Sequence, residues 1–213
     1  GAPTLGHVLL PAALCVDARI KDGALIGDPT EGALLTLAAK AGLLPDEVLE
    51  HRPRIAEIPF DSATKYMATF HHDGDRVMMC VKGAPDVLLA RTSSYIGTSD
   101  SALPIDEAIR AAFVAENEAL ADQALRVLAL AGRVIPAADF DPAGDLLFWV
   151  QDLTLNALVG IIDPPRAEAK EAIATCNAAG IQVKMITGDH RATAAAIARE
   201  LGLKGEVHEG RDL

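Results

Sequence analysis

The sequence predicts an α/β protein with two kinds of sheet, and three observations support this class. Short apolar runs separated by turn residues lie between residues 55 and 81, a pattern typical of an antiparallel meander. Segments with helical spacing of apolar residues stand on both sides of these runs. Residues 167–201 then alternate helix, strand and helix, which is typical of a βα unit in a parallel sheet. We therefore expect an antiparallel sheet flanked by helices, followed by part of a parallel α/β unit.

Composition narrows the class of protein. The chain has 213 residues, half of them hydrophobic, and a formal net charge of −11. This negative charge argues against a nucleic-acid surface. No apolar run reaches the roughly 18 residues that span a bilayer, and no leader-like segment opens the chain. Cys15, Cys80 and Cys176 lack metal-ligand spacing, so we expect reduced thiols used as small hydrophobes, and no metal site. The abrupt ends suggest an excised cytosolic piece, and we expect this piece to be monomeric.

The sequence predicts two helices in the first 42 residues. Leu9 to Ala18 has helical spacing of apolar residues, and a second helix is expected within GDPTEGAL at residues 27–34. There Asp28 can act as N-cap and Glu31 follows three residues later, which predicts a capping box, and Gly42 ends the helix. Capping explains Asp28 and Glu31 without any ligand, and this alternative stays open.

The meander carries the next candidate residues. Phe60 ends a strand beside a polar loop, where its ring could plug the core or offer a flat face to a base. Val77 to Val81 is an apolar strand that ends in Lys82 and Gly83, and Gly83 allows a turn that a Cβ would obstruct. An ammonium at such a strand end needs an anion or a carboxylate nearby. The alternative is a solvated lysine before an ordinary turn.

The middle of the chain is predicted to continue with mixed elements and to end at a domain boundary. In order, we expect a helix at Pro85–Leu89, a polar linker at Thr92–Ser101, a long helix opened by Pro104, a strand at Ala124–Ala131 with Arg126 at its entry, and a strand at Leu158–Ile162. Two prolines then stiffen the segment Asp163-Pro164-Pro165-Arg166. We place a domain boundary there, which gives domains 1–162 and 163–213.

The second domain has a candidate site at the end of its strand. We expect a helix at 167–179 closed by Gly180, a strand at Ile181–Ile186, and a helix at 193–201 closed by Gly202. Between strand and helix lies Thr187-Gly188-Asp189-His190. Ligands of open α/β sheets bind at this position, and the N–H groups of a helix start can hold an oxyanion. Asp189 could instead be a simple N-cap.

Six motifs stand in one order along the chain: GDPTEGAL, FDSATK, VKGAPD, LRVLALA, DPPR and MITGDHRATAAAIA. Together they resemble the cytoplasmic ATP-handling part of P-type cation-transporting ATPases, most closely the type II group of calcium and sodium-potassium pumps. The resemblance covers nearly the whole chain. It implies a nucleotide-binding domain, made of an antiparallel sheet with flanking helices, and part of a Rossmann-like phosphorylation domain of the haloacid-dehalogenase type.

The resemblance also implies residue roles. It implies that Phe60 stacks on adenine, Lys82 and Gly83 line the adenosine pocket, Glu31 approaches the base, Lys65 lies at the pocket edge, and Arg126 reaches the phosphates. It implies a hinge at Asp163 and Arg166, and a loop of Thr187, Gly188 and Asp189 around the transferred phosphoryl group. Asp86 replaces a common glutamate, and His190 replaces the asparagine of calcium pumps, which leaves the subfamily open.

Two family motifs are not in this sequence. They are the phosphorylated aspartate in Asp-Lys-Thr-Gly-Thr and the Mg²⁺-binding Gly-Asp-Gly-x-Asn-Asp segment. Phosphoryl transfer needs both a nucleophile and a metal. We therefore expect this fragment to bind ATP without turning it over. The resemblance implies a parent enzyme at the cytoplasmic face of a membrane. There the phosphorylation, actuator and transmembrane domains would couple Mg²⁺-dependent ATP hydrolysis, through an aspartyl-phosphate, to cation transport.

Two other functions are compatible with parts of the pattern. A soluble dehalogenase-like phosphatase would explain the loop at 187–189 but not the long segment that carries Phe60 and Lys82. A non-catalytic module that binds nucleotide for regulation would explain that segment. The flanking sequence of the native gene would distinguish these possibilities.

Overall fold

The computed structural model describes residues 5–98, 101–123, 125–162, 167–187, 191–205 and 208. The helices are α1 Leu5–Val8, α2 Leu10–Leu14, α3 Pro29–Lys40, α4 Pro45–His51, α5 Pro85–Leu89, α6 Glu107–Asp122, α7 Ala167–Ala178 and α8 Arg191–Glu200. The strands are β1 Arg19–Lys21, β2 Ala24–Ile26, β3 Arg54–Asp61, β4 Tyr66–Asp73, β5 Arg76–Gly83, β6 Thr92–Ile96, β7 Ala102–Pro104, β8 Arg126–Pro136 and β9 Leu153–Ile161. Within this described part, no helix has the length and apolar character needed to cross a membrane.

Seven strands form one sheet in the order β3-β4-β5-β8-β9-β6-β7, and β1 and β2 form a separate hairpin. The pairings β3–β4, β4–β5, β5–β8 and β6–β7 are antiparallel. Strand β6 runs parallel to β9. The predicted meander is therefore confirmed as β3–β5, and the α/β class with a mainly antiparallel sheet is confirmed.

The two faces of this sheet bury different clusters, because successive side chains of a strand point to opposite faces. On β5, Met79 and Val81 join the larger core cluster, which also contains Phe70 of β4. Cys80 belongs to a smaller cluster with Met67 of β4 and the apolar residues Leu10, Leu14 and Cys15. Helix α2 therefore covers the face that carries Cys80 and, two residues further along β5, Lys82.

The chain divides into two compact units, residues 1–114 with 128–159 and residues 115–127 with 160–213. In the second unit, α7 and α8 match the predicted helices. Gly180 and Gly202 follow them with φ values of 76° and 73°, which is the left-handed conformation that commonly ends a helix. The functional division into 1–162 and 163–213 stays a prediction.

The predicted linker at 92–101 is wrong, since β6 occupies residues 92–96. The polar side chains that suggested a linker have partners inside the fold. The Thr92 hydroxyl donates to the Leu88 carbonyl at 2.7 Å, and the Ser94 and Thr154 hydroxyls lie 2.8 Å apart across the parallel pair. Pro104 ends β7 instead of opening a helix, and the long helix begins at Glu107.

The predicted strand at Ile181–Ile186 is also wrong. Residues 181–187 are described and belong to no strand, and Ile186 is 98% exposed. A strand is held by hydrogen bonds to a neighbouring strand, and within the described ranges this segment has no paired neighbour. The apolar run alone therefore does not make a strand here.

The first predicted helix is shorter than expected. Instead of Leu9 to Ala18, the structure has α1 and α2, and α2 ends at Leu14. The backbone after it bonds to side chains instead of continuing the helix. Arg54 donates to the carbonyls of Leu14 and Val16, and Glu31 accepts from the N–H groups of Asp17 and Ala18. These hydrogen bonds hold the segment 15–18 beside Glu31, one of the candidate site residues.

Candidate functional site

Lys82 lies near the end of β5, on the face covered by α2. Its register partners are Met67 on β4 and Leu130 on β8, so it lies between two paired strands. Only 7% of the residue is exposed. A buried ammonium needs a compensating charge, and the structure provides one. The prediction that Lys82 needs an anion or a carboxylate nearby is confirmed, and the alternative of a solvated lysine is wrong.

The compensating charge is Glu31 on the first turn of α3. Its Oε1 meets the Lys82 Nζ. Its Oε2 accepts hydrogen bonds from the backbone N–H groups of Asp17 at 2.9 Å and Ala18 at 2.7 Å. With side-chain exposures of 13% for Glu31 and 8% for Lys82, the pair is shielded from solvent. The two side chains therefore form one buried, hydrogen-bonded ion pair.

The predicted capping box is half right. Asp28 caps α3, accepting from the N–H groups of Thr30 at 2.8 Å and Glu31 at 3.3 Å. Burial alone would raise the pKa of Asp28, but these hydrogen bonds outweigh it and lower that pKa. Glu31 does not reach back to the cap, because its carboxylate is used by Lys82 and the segment 17–18. Capping therefore explains Asp28 but not Glu31.

Gly27 allows α3 to start close to the segment that Glu31 binds. Its φ of +117° lies in the left-handed region, and a Cβ there would come within 2.8 Å of the Ala18 Cα. A side chain would push the start of α3 away from Ala18. The motif at 27–32 therefore sets the approach between α3 and Ala18 that the Glu31 hydrogen bonds require.

Phe60 is an exposed aromatic residue near the end of β3. It is 61% exposed, so the interpretation as a core plug is wrong. Its neighbour Asp61 pairs with Tyr66, and Tyr66 pairs with Gly83 beside Lys82. The ring therefore lies at the same end of the sheet as the Glu31–Lys82 pair, two strands away. Most of the Phe60 surface is therefore open to solvent.

The turn between β3 and β4 carries Lys65, whose side chain is exposed. Asp61 organises this turn by accepting from the N–H groups of Ala63 at 2.7 Å and Thr64 at 3.1 Å. Lys65 has a φ of 59°, and its carbonyl accepts from the Ala84 N–H at 3.0 Å. The turn is thus fastened to the end of β5.

Gly83 is required by this close approach. A Cβ on Gly83 would lie 2.6 Å from the Lys65 carbonyl oxygen and 2.7 Å from the Tyr66 Cβ. The prediction that a Cβ on Gly83 would obstruct the turn is confirmed, although Gly83 has no positive φ. It removes a side chain between two backbones and does not provide a left-handed turn.

An apolar group borders the ion pair beneath α2. Cys15 donates to the Met67 carbonyl at 3.4 Å, and Cys80 lies in the same cluster. Burial raises the pKa of the Cys15 thiol to about 11, although the positive charge of Lys82 opposes this effect. Both thiols are free and buried. The prediction that the cysteines are used as small hydrophobes is confirmed for Cys15 and Cys80, whereas Cys176 is only partly buried.

Sequence reasoning missed three contributors to this site. Asp17 and Ala18 supply backbone N–H groups, which leave no signal in side-chain chemistry. Arg54 donates to the same segment, and its sequence signal is weak because a single arginine at a strand start is common. The excess of acidic residues around it, at Asp17 and Glu57, is a signal only once the fold brings them together.

The predicted roles of the phosphate-end residues stay a prediction. Arg126 begins β8, in the second compact unit. Thr187 is exposed and lies outside helices and strands. Asp163, Arg166, Gly188 and Asp189 lie outside the described residues. The described residues also contain no group of three or more His, Cys, Asp or Glu side chains suited to a metal ion.

Comparison with known proteins gives a consistent result. Residues 4–168 match the family model described as P-type ATPase, cytoplasmic domain N. The chain is 42% identical to the cation-transporting ATPase pma1 of Synechocystis over 99% of its length and 24% of that protein's. It is 43% identical to the calcium-transporting ATPase of Bacillus subtilis, over 98% of its own length and 24% of that protein's. With the probable cation-transporting ATPase F of Mycobacterium tuberculosis it shares 43% identity, over 92% and 21%. The chain thus spans about a quarter of the length of the curated relatives it matches.

Proposed function

This chain belongs to the family of the P-type ATPase cytoplasmic domain N, and from that membership we propose that it binds the adenine end of ATP within a larger cation-transporting ATPase. The observation that carries the proposal is the exposed Phe60 ring, at the same end of the sheet as the buried Glu31–Lys82 pair. An adenine base needs a flat apolar surface and a few placed polar groups. The site offers both.

Stacking on Phe60 would hold the base. An aromatic ring that is 61% exposed leaves apolar surface in water, and covering it with a base is favourable by roughly 1–3 kcal/mol. Every base has a π face, so stacking alone would not select adenine. Selectivity needs a hydrogen-bonding group, and Glu31 is the candidate.

Glu31 has one acceptor position to spare. A carboxylate offers about four lone-pair positions, and the contacts to Lys82, Asp17 and Ala18 use three of them. The remaining one can accept from the exocyclic amino group of adenine. Guanine presents a carbonyl oxygen at the corresponding position, and two acceptors repel each other. The site would therefore prefer adenine to guanine nucleotides.

The Glu31–Lys82 pair has no net charge, and this limits its attraction for phosphate. Lys82 would contact the nucleoside while its charge stays balanced by Glu31. The triphosphate would be held by Arg126 and by Thr187, Gly188 and Asp189, with Asp163 and Arg166 at the hinge, once those groups meet in the full-length protein. Mg²⁺ would come with the nucleotide and neutralise its phosphate charge.

In the parent enzyme, ATP would phosphorylate an aspartate outside this chain, and hydrolysis of the aspartyl-phosphate would drive cation transport. The names of the relatives, which include calcium-transporting ATPases, make calcium one candidate cation. Phosphorylation, actuator and transmembrane domains of the same polypeptide would be the partners, and the chain would lie at the cytoplasmic face of the membrane. The fragment alone would act as a nucleotide-binding module.

Calorimetric titration of the 213-residue chain tests the proposal. We expect a Kd for ATP between about 0.1 and a few mM, with ATP, ADP and AMP within about tenfold of each other. GTP should bind more weakly than ATP. Equal affinity for GTP, or a hundredfold preference for ATP over AMP that depends on Mg²⁺, would contradict recognition of the adenine end. Incubation with labelled ATP and Mg²⁺ should leave no covalent phosphate on the chain.

A further inference from the structure

Arg54 at the start of β3 makes four hydrogen bonds through two nitrogens. Its Nη1 donates to Asp17 Oδ1 at 2.7 Å and to Glu57 Oε2 at 2.7 Å. Its Nη2 donates to the carbonyls of Leu14, at 3.3 Å, and Val16. With 22% of its side chain exposed, the guanidinium is mostly enclosed. Such a planar donor group fixes the positions of several acceptors at once.

These acceptors lie directly beside the groups that hold Glu31. The Val16 carbonyl and the Asp17 N–H belong to the same peptide group, which is planar and rigid. Arg54 donates to its oxygen, and its N–H donates to Glu31 Oε2. The next backbone N–H, from Ala18, also donates to Glu31 Oε2. A single peptide group therefore connects Arg54 to Glu31, and hydrogen bonds in such a chain polarise and strengthen one another.

The charge of Arg54 suits this position. Burial alone would lower the pKa of its guanidinium, but the hydrogen bonds and negative charges of Asp17 and Glu57 outweigh burial and raise that pKa. Arg54 is therefore always positive, and its cationic donor increases the acidity of the Asp17 N–H across the peptide. A more acidic N–H holds the Glu31 carboxylate more strongly.

We propose that Arg54 is a positioning residue of the nucleotide site, which fixes the Val16–Asp17 peptide so that Glu31 is held against Lys82. The inference rests on the function proposed above, because it gives Arg54 a role in nucleotide affinity. It assigns to Arg54 no contact with the ligand. Its effect on binding passes through Glu31.

A merely structural role is the alternative. Arg54 also ties the segment after α2 to β3, and loss of that tie would lower stability without any special relation to Glu31. The two roles differ in how mutations combine. If Arg54 acts through Glu31, the two residues show strong coupling; if it acts on the fold alone, their effects on affinity add.

The test is a double-mutant cycle on ATP affinity, with Arg54→Gln, Glu31→Gln and the double variant. We expect Arg54→Gln to weaken ATP binding about tenfold in the native background, and by less than about twofold when Glu31→Gln is already present. Arg76→Gln is the matched control. It removes an arginine of the same sheet whose side chain is 59% exposed and pairs with Asp75. This control should leave affinity unchanged.

A second measurement reports the connection directly. In ¹H–¹⁵N spectra, the amide signals of Asp17 and Ala18 should move upfield in Arg54→Gln, because their hydrogen bonds to Glu31 weaken, and should stay in place in Arg76→Gln. If the glutamine variant does not fold, Arg54→Lys takes its place in the same cycle. Lysine keeps the positive charge but lacks the two guanidinium nitrogens that bind several acceptors at once.

The outcomes separate the two proposals. If the native chain binds no adenine nucleotide, the proposed function itself fails. If the native chain binds ATP and the effects of Arg54 and Glu31 on affinity simply add, the function stands and the role of Arg54 is overturned. Unmoved amide signals of Asp17 and Ala18 would overturn it as well.

Discussion

Glu31 and Lys82, which stand 51 positions apart in the chain, form an ion pair that is almost closed to solvent. The desolvation of two buried charges offsets most of the free energy gained from their attraction. Such a pair therefore contributes little net stability compared with an apolar pair of similar volume. Leaving one charge unpaired in the same place is far more costly. The pair is therefore a sensitive element of the fold as well as a candidate ligand-binding group.

Breaking this pair should destabilise the chain more than removing it. We expect Glu31→Gln alone to lower the free energy of unfolding by about 3–5 kcal/mol, because Lys82 loses its counter-charge. Adding Lys82→Met should recover a large part of that loss, since no buried charge then remains. Urea denaturation of the single and double variants measures both. A double variant less stable than Glu31→Gln would show that the pair stabilises the fold outright.

Removing the exposed ring at Phe60 should affect binding and leave the fold intact. We expect Phe60→Ala to weaken ATP binding by about 1–3 kcal/mol, the contribution of an aromatic–base stack. Its stability should change by only about 0.5 kcal/mol, as is usual for surface positions. Phe148→Ala is the matched control, because Phe148 is 58% exposed and lies in the 3₁₀ helix Leu146–Trp149. Equal losses of affinity in the two variants would remove the stacking role.

His71 should make stability depend on pH in the acid range. It is fully buried, with Nδ1 3.0 Å from the Arg52 carbonyl and Nε2 2.9 Å from the Thr69 hydroxyl. Burial, with the charges of Arg54 and Arg52, lowers its pKa from 6.5 to about 4. Between these values the unfolded chain binds a proton that the folded chain does not. Stability should therefore fall as pH drops from 6.5 to 4, by on the order of 3 kcal/mol in total.

The measurement for His71 is urea denaturation at several pH values, compared between the native chain and His71→Gln. The variant should lose this part of the pH dependence, even if it is less stable at neutral pH. His72→Gln is the control, since His72 is exposed, and it should keep the native slope. A native slope in His71→Gln would mean that other groups titrate in this window.

A side chain at Gly83 should separate β5 from the Lys65 turn. In Gly83→Ala the new Cβ would meet the Lys65 carbonyl oxygen at 2.6 Å, and backbone cannot move aside as cheaply as a side chain. We expect a loss of about 1–3 kcal/mol in unfolding free energy. Gly6→Ala is the control, because its nearest atom would be 4.0 Å away, and in helix α1 alanine should stabilise by about 0.5–1 kcal/mol. Similar melting curves for the two variants would contradict the tight approach.

Local rules predicted the elements whose causes are local. Asp28 caps α3 as its residue type suggests, and α5 runs from Pro85 to Leu89 as expected. The need of Lys82 for a carboxylate also followed from the cost of burying a charge. Its partner did not follow, because many carboxylates were available and only the fold brings Glu31, on the first turn of α3, to Lys82.

Errors arose where the deciding partner is far away in the chain. Residues 92–96 look like a linker until Thr154 and Leu153 are placed beside them in β9. Residues 181–186 look like a strand, yet pairing is what makes one. Arg54 gave no pattern, because its four acceptors come from two separate segments. Sequence periodicity reports the neighbours along the chain and says little about such contacts.

The parallel neighbours β6 and β9 join Ser94 to Thr154 across 60 positions of sequence. By contrast, the strands β3, β4 and β5 follow one another through short turns. Closing a long loop costs more chain entropy than closing a short one, and contacts between distant residues form late in folding. The half of the sheet that bears Phe60 and Lys82 should thus form first, and the edge made by β6 and β7 should pair afterwards. An emerging polypeptide would display the end of the sheet that bears Phe60 and Lys82 before the far edge is complete.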